Sequence, residues 1–205
     1  MAWASLWFVT LVIVWGLLLA GPASAENEAA PVVPHTPAGT QELSLAVGYL
    51  LPNRLTQDHT TKQQGIAAMP SWNMVLTDPV GAEWYRGQVI LGAEMVYVEF
   101  REPVITHGVG FTPRIKYSFT ALDRLRPYVE FAGGPFWTDL GKRIPEQSTQ
   151  LNFILTGGLG ASYFLTDRTA LTVGYRFHHF SNAGTRMPNL GINSSLPLIG
   201  YSFFY

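Results

Sequence analysis

The sequence predicts an all-β protein, an eight-stranded antiparallel transmembrane β-barrel preceded by a signal peptide. Three observations carry that reading. Apolar and polar side chains alternate with period 2 in run after run beyond Thr40. Each run is near the roughly 9 to 11 residues that cross a bilayer at a tilt. The chain ends on Tyr205, aromatic and in phase with its last apolar face, as outer-membrane barrels commonly do.

The N-terminus precedes the barrel. Residues 6–19 form an apolar segment, and Ala23-Ser24-Ala25 before Glu26 is a small-x-small cleavage signature, which predicts a signal peptide over 1–25. No Lys or Arg precedes the apolar core, and an uncleaved anchor helix is the rival reading, because the segment nearly reaches the roughly 20 residues of a span. The Pro-rich run 26–40 reads as a linker, and the barrel occupies 41–205.

Taken in order, the first strand shows Leu43, Leu45, Val47 and Tyr49 against Ser44, Ala46 and Gly48. A weaker, ragged run covers 65–77. The third sets Val89, Leu91, Ala93, Met95 and Tyr97 against Gln88, Gly92 and Glu94. In the fourth, Val109, Phe111, Ile115, Tyr117 and Phe119 face away from Gly110, Thr112, Arg114, Lys116 and Ser118. Val129 and Phe131 alternate with Tyr128, Glu130 and Ala132, and Leu151, Phe153, Leu155, Leu159 and Tyr163 mark the sixth. The last two carry Leu171, Val173, Tyr175 and Phe177, then Ile199, Tyr201, Phe203 and Tyr205.

A soluble lipocalin-like barrel would turn its apolar face inward. Here the polar face is mostly Gly, Ser, Thr and Asn with charges of both signs: Glu94, Arg114, Lys116, Glu130 and Arg176. Small residues and paired ions suit a narrow interior, and large apolar side chains suit lipid. We therefore expect the interior charges to form a packed salt-bridge plug. Over the 205 residues only 13% are charged, with a formal net charge of -1, so nothing shows the basic excess of a nucleic-acid binder. With no cysteine, disulfides, thiolate metal sites and cysteine nucleophiles are excluded together.

Short connections at 78–83, 121–126 and 166–169, alternating with mostly longer ones, place both termini on the periplasmic side and send odd strands outward. On the seventh strand His179 and Ser181 continue the register of Val173 and Tyr175, so they stand at its top, on its lipid face, near the outer leaflet. In a Gram-negative outer membrane that leaflet is lipopolysaccharide, and a nucleophile there faces the acyl esters of lipid A. Serine is a weak nucleophile until a base such as imidazole takes its proton, and amide donors such as asparagine can hold the oxyanion that follows. The competing reading makes His179 an interfacial aromatic-belt residue and the following Asn/Gly run an ordinary turn.

The run His179-Phe180-Ser181-Asn182-Ala183-Gly184, followed by Pro188-Asn189-Leu190-Gly191-Ile192, resembles the signature of the lipid A 3-O-deacylase (PagL) family, most strongly over 126–205. The resemblance implies an eight-stranded outer-membrane barrel that removes the 3-hydroxyacyl chain from the 3 position of lipid A without metal or cofactor. It implies Ser181 as nucleophile, His179 as general base, and an oxyanion hole from the Asn182 backbone N–H and the Asn189 side chain. One position departs: where the family can carry a glutamate as third triad member, this chain has Asn193. An amide can accept from imidazole but cannot stabilise imidazolium by charge, and in a serine protease the equivalent Asp to Asn change costs about 10⁴ in kcat.

Asp139 and Glu146, on the loop between the fifth and sixth strands, are candidates for a substitute carboxylate, with a solvated loop charge as the competing reading of each. Lys142, Arg143 and Arg186 are candidates to bind the phosphates of lipid A, with solubilising loop charges as the alternative reading. The partners expected are lipid A and the outer membrane, with no nucleic acid, and the oligomeric state stays open with a homodimer among the options. Two other functions remain alternatives: a general surface esterase or phospholipase, and a non-catalytic structural or adhesin-like barrel.

Overall fold

In a computed structural model of the protein, residues 34–53 and 62–205 are described. The signal peptide expected over 1–25 lies outside them. The strands are β1 Gln41–Pro52, β2 Gln64–Val75, β3 Gly87–Glu102, β4 Thr106–Phe119, β5 Leu125–Thr138, β6 Leu151–Phe164, β7 Thr169–Ser181 and β8 Ile192–Phe204. Each pairs antiparallel with its neighbour in sequence, and β1 pairs with β8 to close the barrel. Closure leaves no strand edge unpaired, the condition a sheet must meet to stand in hydrocarbon.

One rim holds the entry to β1 and the exit from β8, and is the terminal rim. The opposite one carries the β1–β2, β3–β4, β5–β6 and β7–β8 connections, and is the loop rim. The expected alternation of short and long connections holds with two exceptions. At the terminal rim the β2–β3 connection runs from 76 to 86 and includes a 3-10 turn, Glu83–Tyr85. At the loop rim β3 and β4 are longer than their alternation suggested, and only residues 103–105 join them.

The two faces divide as the period-2 pattern predicts. Leu91, Met95, Phe131, Leu159, Val173 and Ile199 point outward and are exposed. Such a band would be costly in water and suits lipid. Inside, Arg176 lies between two carboxylates, with its Nη1 2.7 Å from Glu94 Oε1 and its Nε 2.7 Å from Glu130 Oε1. Arg114 bonds Glu94 at 3.0 Å, and Lys116 bonds Glu42 at 3.0 Å. Ions withdrawn from water persist only when paired and hydrogen-bonded, so these charges stabilise one another as the expected plug.

The rest of the interior corrects the expectation that large apolar side chains belong to the lipid face. Toward the loop rim the barrel is filled by a buried apolar cluster that includes Leu50, Met69, Val98, Phe100, Phe136, Ile154, Phe180 and Ile192. The Phe136 and Phe180 ring centroids are 5.6 Å apart, and Phe100 lies edge-on to Phe136 at 6.5 Å. The cause is steric as well as hydrophobic. Gly108 faces this cluster from β4, and a Cβ there would stand 2.2 Å from Phe136 Cζ, so the bare backbone makes the room the ring fills. A close-packed apolar plug under the loop rim gives the end of β7 a rigid base.

At the terminal rim Arg126 donates to Thr36 Oγ1 at 2.5 Å and to the Pro34 carbonyl at 2.5 Å, while Gln88 Nε2 donates to the Thr36 carbonyl at 2.6 Å. The described part of the 26–40 segment therefore packs into that mouth.

Candidate active site

Strand β7 ends in a run where the two faces do different work. Phe180 points inward and is fully buried in the apolar cluster, and His178, two residues before it, is buried on the same inward face. His179 and Ser181 point outward and are half-buried at the loop rim. In the β7–β8 ladder His179 stands directly opposite Asn193, and Phe180 opposite Ile192.

This register brings the imidazole and the amide into contact. His179 Nδ1 and Asn193 Oδ1 are 2.6 Å apart. Because a carbonyl oxygen can only accept, the bond requires the proton on Nδ1 and leaves the Nε2 lone pair for another proton. Asn193 is buried, so little water competes for the bond. It is Asn193 that reaches the ring, not Asp139 or Glu146. Asp139 Oδ1 accepts from Gln150 Nε2 at 2.5 Å within its own loop. Glu146 is buried, and its backbone carbonyl accepts from the Leu190 N–H at 2.9 Å.

Ser181 is the last residue of β7 and pairs with Phe153 of β6. Its hydroxyl makes no hydrogen bond among the described residues. After it the chain turns sharply, with Ala183 at φ 55° and Gly184 at φ 77°, both left-handed. Asn182 holds that turn: its Oδ1 accepts from Gly184 N–H at 3.0 Å, its carbonyl accepts from Thr185 Oγ1 at 2.8 Å, and its Nδ2 donates to the Arg186 carbonyl at 2.7 Å. These bonds compensate a conformation that a non-glycine residue disfavours.

The two expected oxyanion donors are brought together, but one of them is engaged by the other residue's side-chain oxygen. The Asn182 backbone N–H donates to Asn189 Oδ1 at 2.9 Å. That bond orients the Asn189 amide and leaves its Nδ2 as the donor directed elsewhere. The expected cations lie on the two loops above: Lys142 donates to Gln150 Oε1 at 2.7 Å, and Lys142, Arg143 and Arg186 are exposed. The loops touch through Ser148, whose hydroxyl donates to the Arg186 carbonyl at 3.2 Å. Among the described residues, no group of three or more His, Asp or Glu is placed to hold a metal.

Sequence reasoning quoted Gly191 within the motif without giving it a role, and the structure supplies one. Gly191 has φ +71°, and a Cβ on it would stand 2.5 Å from His179 Cε1 and 3.2 Å from Nε2. The imidazole rests against bare backbone. Two residues that the sequence did not single out, Asn53 and Gln63, also meet the β8 end: the Asn193 carbonyl accepts from Asn53 N–H at 3.1 Å and from Gln63 Nε2 at 2.7 Å. Gly191→Ala should push the ring off Asn193. In ¹⁵N-resolved NMR of the detergent-solubilised barrel the protonated Nδ1 signal of His179 should then be lost or broadened, and an unchanged signal would show that the ring has room to spare.

Comparison with known proteins bears on the family and the fold. The chain matches the family described as Lipid A 3-O-deacylase (PagL) over residues 45–202. It is 35% identical over 101 residues to the lipid A deacylase PagL of Pseudomonas aeruginosa, an alignment covering 48% of this chain and 51% of that protein, so it spans about half the length of this curated relative. Among solved structures it resembles the outer membrane enzyme PagL, with a TM-score of 0.52 at 24% identity over 79% of this chain and 98% of that one. It also resembles Neisserial surface protein A, with a TM-score of 0.56 at 14% identity over 82% of this chain and 98% of that one. These two likenesses concern the fold. With the family match running through all eight strands, from residue 45 to residue 202, this chain belongs to the lipid A 3-O-deacylase (PagL) family.

Proposed function

We propose that the protein is an outer-membrane ester hydrolase that removes a 3-hydroxyacyl chain from the 3 position of lipid A, using Ser181 as nucleophile and His179 as general base. The observation that carries this reading is the 2.6 Å contact between His179 Nδ1 and Asn193 Oδ1, two residues along the same lipid-facing strand edge from Ser181. In the neutral ring that bond puts the proton on Nδ1 and the lone pair on Nε2, on a residue flanking a hydroxyl that makes no hydrogen bond among the described residues.

In the reaction His179 Nε2 takes the Ser181 Oγ proton as Oγ attacks the ester carbonyl carbon. The carbonyl oxygen becomes the oxyanion, which the Asn189 Nδ2–H, and the Asn182 N–H once released from Asn189, would receive. Donors of this kind contribute about 3 to 4 kcal/mol when aimed at the developing charge. The bond to the sugar oxygen breaks as His179 returns the proton to it, giving a free sugar hydroxyl and an acyl-serine. Water, deprotonated by the same nitrogen, then releases the fatty acid and restores Ser181. In the resting structure the ring and the Ser181 hydroxyl are not hydrogen-bonded, and bringing them together is the task of substrate binding.

In this reading the loop rim faces the outer leaflet, where lipopolysaccharide lies. Lys142, Arg143 and Arg186 then sit on two touching loops beside the site and bind the lipid A phosphates through charge-assisted hydrogen bonds.

Release of 3-hydroxy fatty acid from purified lipopolysaccharide, with phospholipid and a short p-nitrophenyl ester in parallel, tests the reading. Ser181→Ala and His179→Ala should each lower the rate by about 10⁴ or more. Both residues lie at the rim, so the variants should keep the heat-modifiable mobility of a folded barrel. Retained release by folded Ser181→Ala would remove Ser181 as nucleophile, and cleavage of phospholipid as fast as lipid A would favour a general phospholipase.

Replacing Lys142, Arg143 and Arg186 together by Gln should raise KM for lipopolysaccharide and leave KM for the neutral ester unchanged. An unchanged KM for lipopolysaccharide would assign these cations to solubility alone.

A further inference from the structure

We infer that Gln63 is a positioning residue for the proposed reaction, acting through the backbone of Asn193; the inference rests on the roles given above to Ser181, His179 and Asn193. Gln63 ends the β1–β2 connection, is 1% exposed, and lies far from His179 in sequence. Its Nε2 donates to the Asn193 carbonyl at 2.7 Å and to Ser194 Oγ at 2.9 Å. From the other end of the same connection the Asn53 N–H donates to that carbonyl at 3.1 Å, so both of its lone pairs are occupied. Asn53 Nδ2 also donates to Ser195 Oγ at 2.9 Å, and Ser195 Oγ is 2.8 Å from Tyr175 OH on β7. The start of β8 is thus held from both ends of one loop and tied to the strand that carries His179.

The amide at 193 makes this clamp matter. A carboxylate would attract an imidazolium over several ångströms and from many directions. An amide oxygen works by contact, and a hydrogen bond weakens steeply with angle and distance. Asn193 reaches the ring through only two side-chain torsions, so the position of its backbone sets where Oδ1 falls. A slack β8 end would let the amide turn its NH₂ group to Nδ1, which moves the proton to Nε2 and removes the base.

The test uses the full barrel folded in detergent. Gln63→Met keeps the length of the side chain and removes both hydrogen bonds. Gln63→Glu keeps a partner for the Ser194 hydroxyl while losing the donor to Asn193, and serves as the second variant. Each should lower kcat for ester release from lipopolysaccharide about 10- to 100-fold, the cost of a slightly misplaced catalytic group, with KM unchanged. In an Asn193→Ala background the same substitutions should have no further effect. An equal loss in both backgrounds, or an unchanged kcat, would overturn the inference.

The His179 ¹⁵N shifts give a readout independent of activity: a single Nδ1–H tautomer in the wild type and a mixture in Gln63→Met. Identical spectra would also overturn it. Were the wild type to release no fatty acid while the tautomer still followed Gln63, the clamp would stand and the proposed function would fall.

Discussion

In the β7–β8 ladder His179 faces Asn193 across one rung, and the site depends on that register more than on any single side chain. Side chains alternate faces with period 2, so a slip of one residue would turn Asn193 away from the imidazole and send Phe180 out of the core. Two features resist the slip. Phe180 and Ile192, opposite each other, are fully buried in the apolar cluster, and β8 also pairs with β1 in the closing seam. The outward polar pair is thus held in place by inward apolar burial one residue away.

The interior has a matching division. Midway along the barrel, arginines and carboxylates neutralise each other within a few ångströms. Nearer the loop rim aromatic and aliphatic side chains fill the interior. A hydrated interior under the rim would let the end of β7 move, and catalytic groups tolerate displacements well below an ångström before rates fall. Packing density beneath the site and hydrogen bonding above it, through Asn182, Ser148 and Glu146, therefore serve the same end.

Much of this was legible from residue pattern. The lipid face, the interior charges and the placement of His179 and Ser181 on one edge follow from period-2 alternation, and the place of Asn193 beside the ring was implied by the family resemblance. Three features were not. The apolar plug was hidden because Val96, Val98 and Phe100 extend the inward face of β3 with side chains that read as lipid-facing. The mutual bond of Asn182 and Asn189 depends on turn geometry that residue spacing leaves undetermined. Gln63 meets Asn193 only because the first and last strands join, a contact between distant parts of the chain that no local pattern encodes.

In the proposed mechanism an amide at position 193 orients the His179 base by hydrogen bonding alone. The most direct test of that claim is the rate of 3-hydroxy fatty acid release from lipopolysaccharide by Asn193→Ala and Asn193→Glu beside the wild type, all verified as folded. Asn193→Ala should be slower, because the ring loses the hydrogen bond that orients it. Asn193→Glu should be faster by about one to two orders of magnitude, because a carboxylate adds charge stabilisation of the imidazolium, whose full loss elsewhere costs about 10⁴. Equal rates for all three proteins would contradict the claim and turn attention to Glu146 and Asp139.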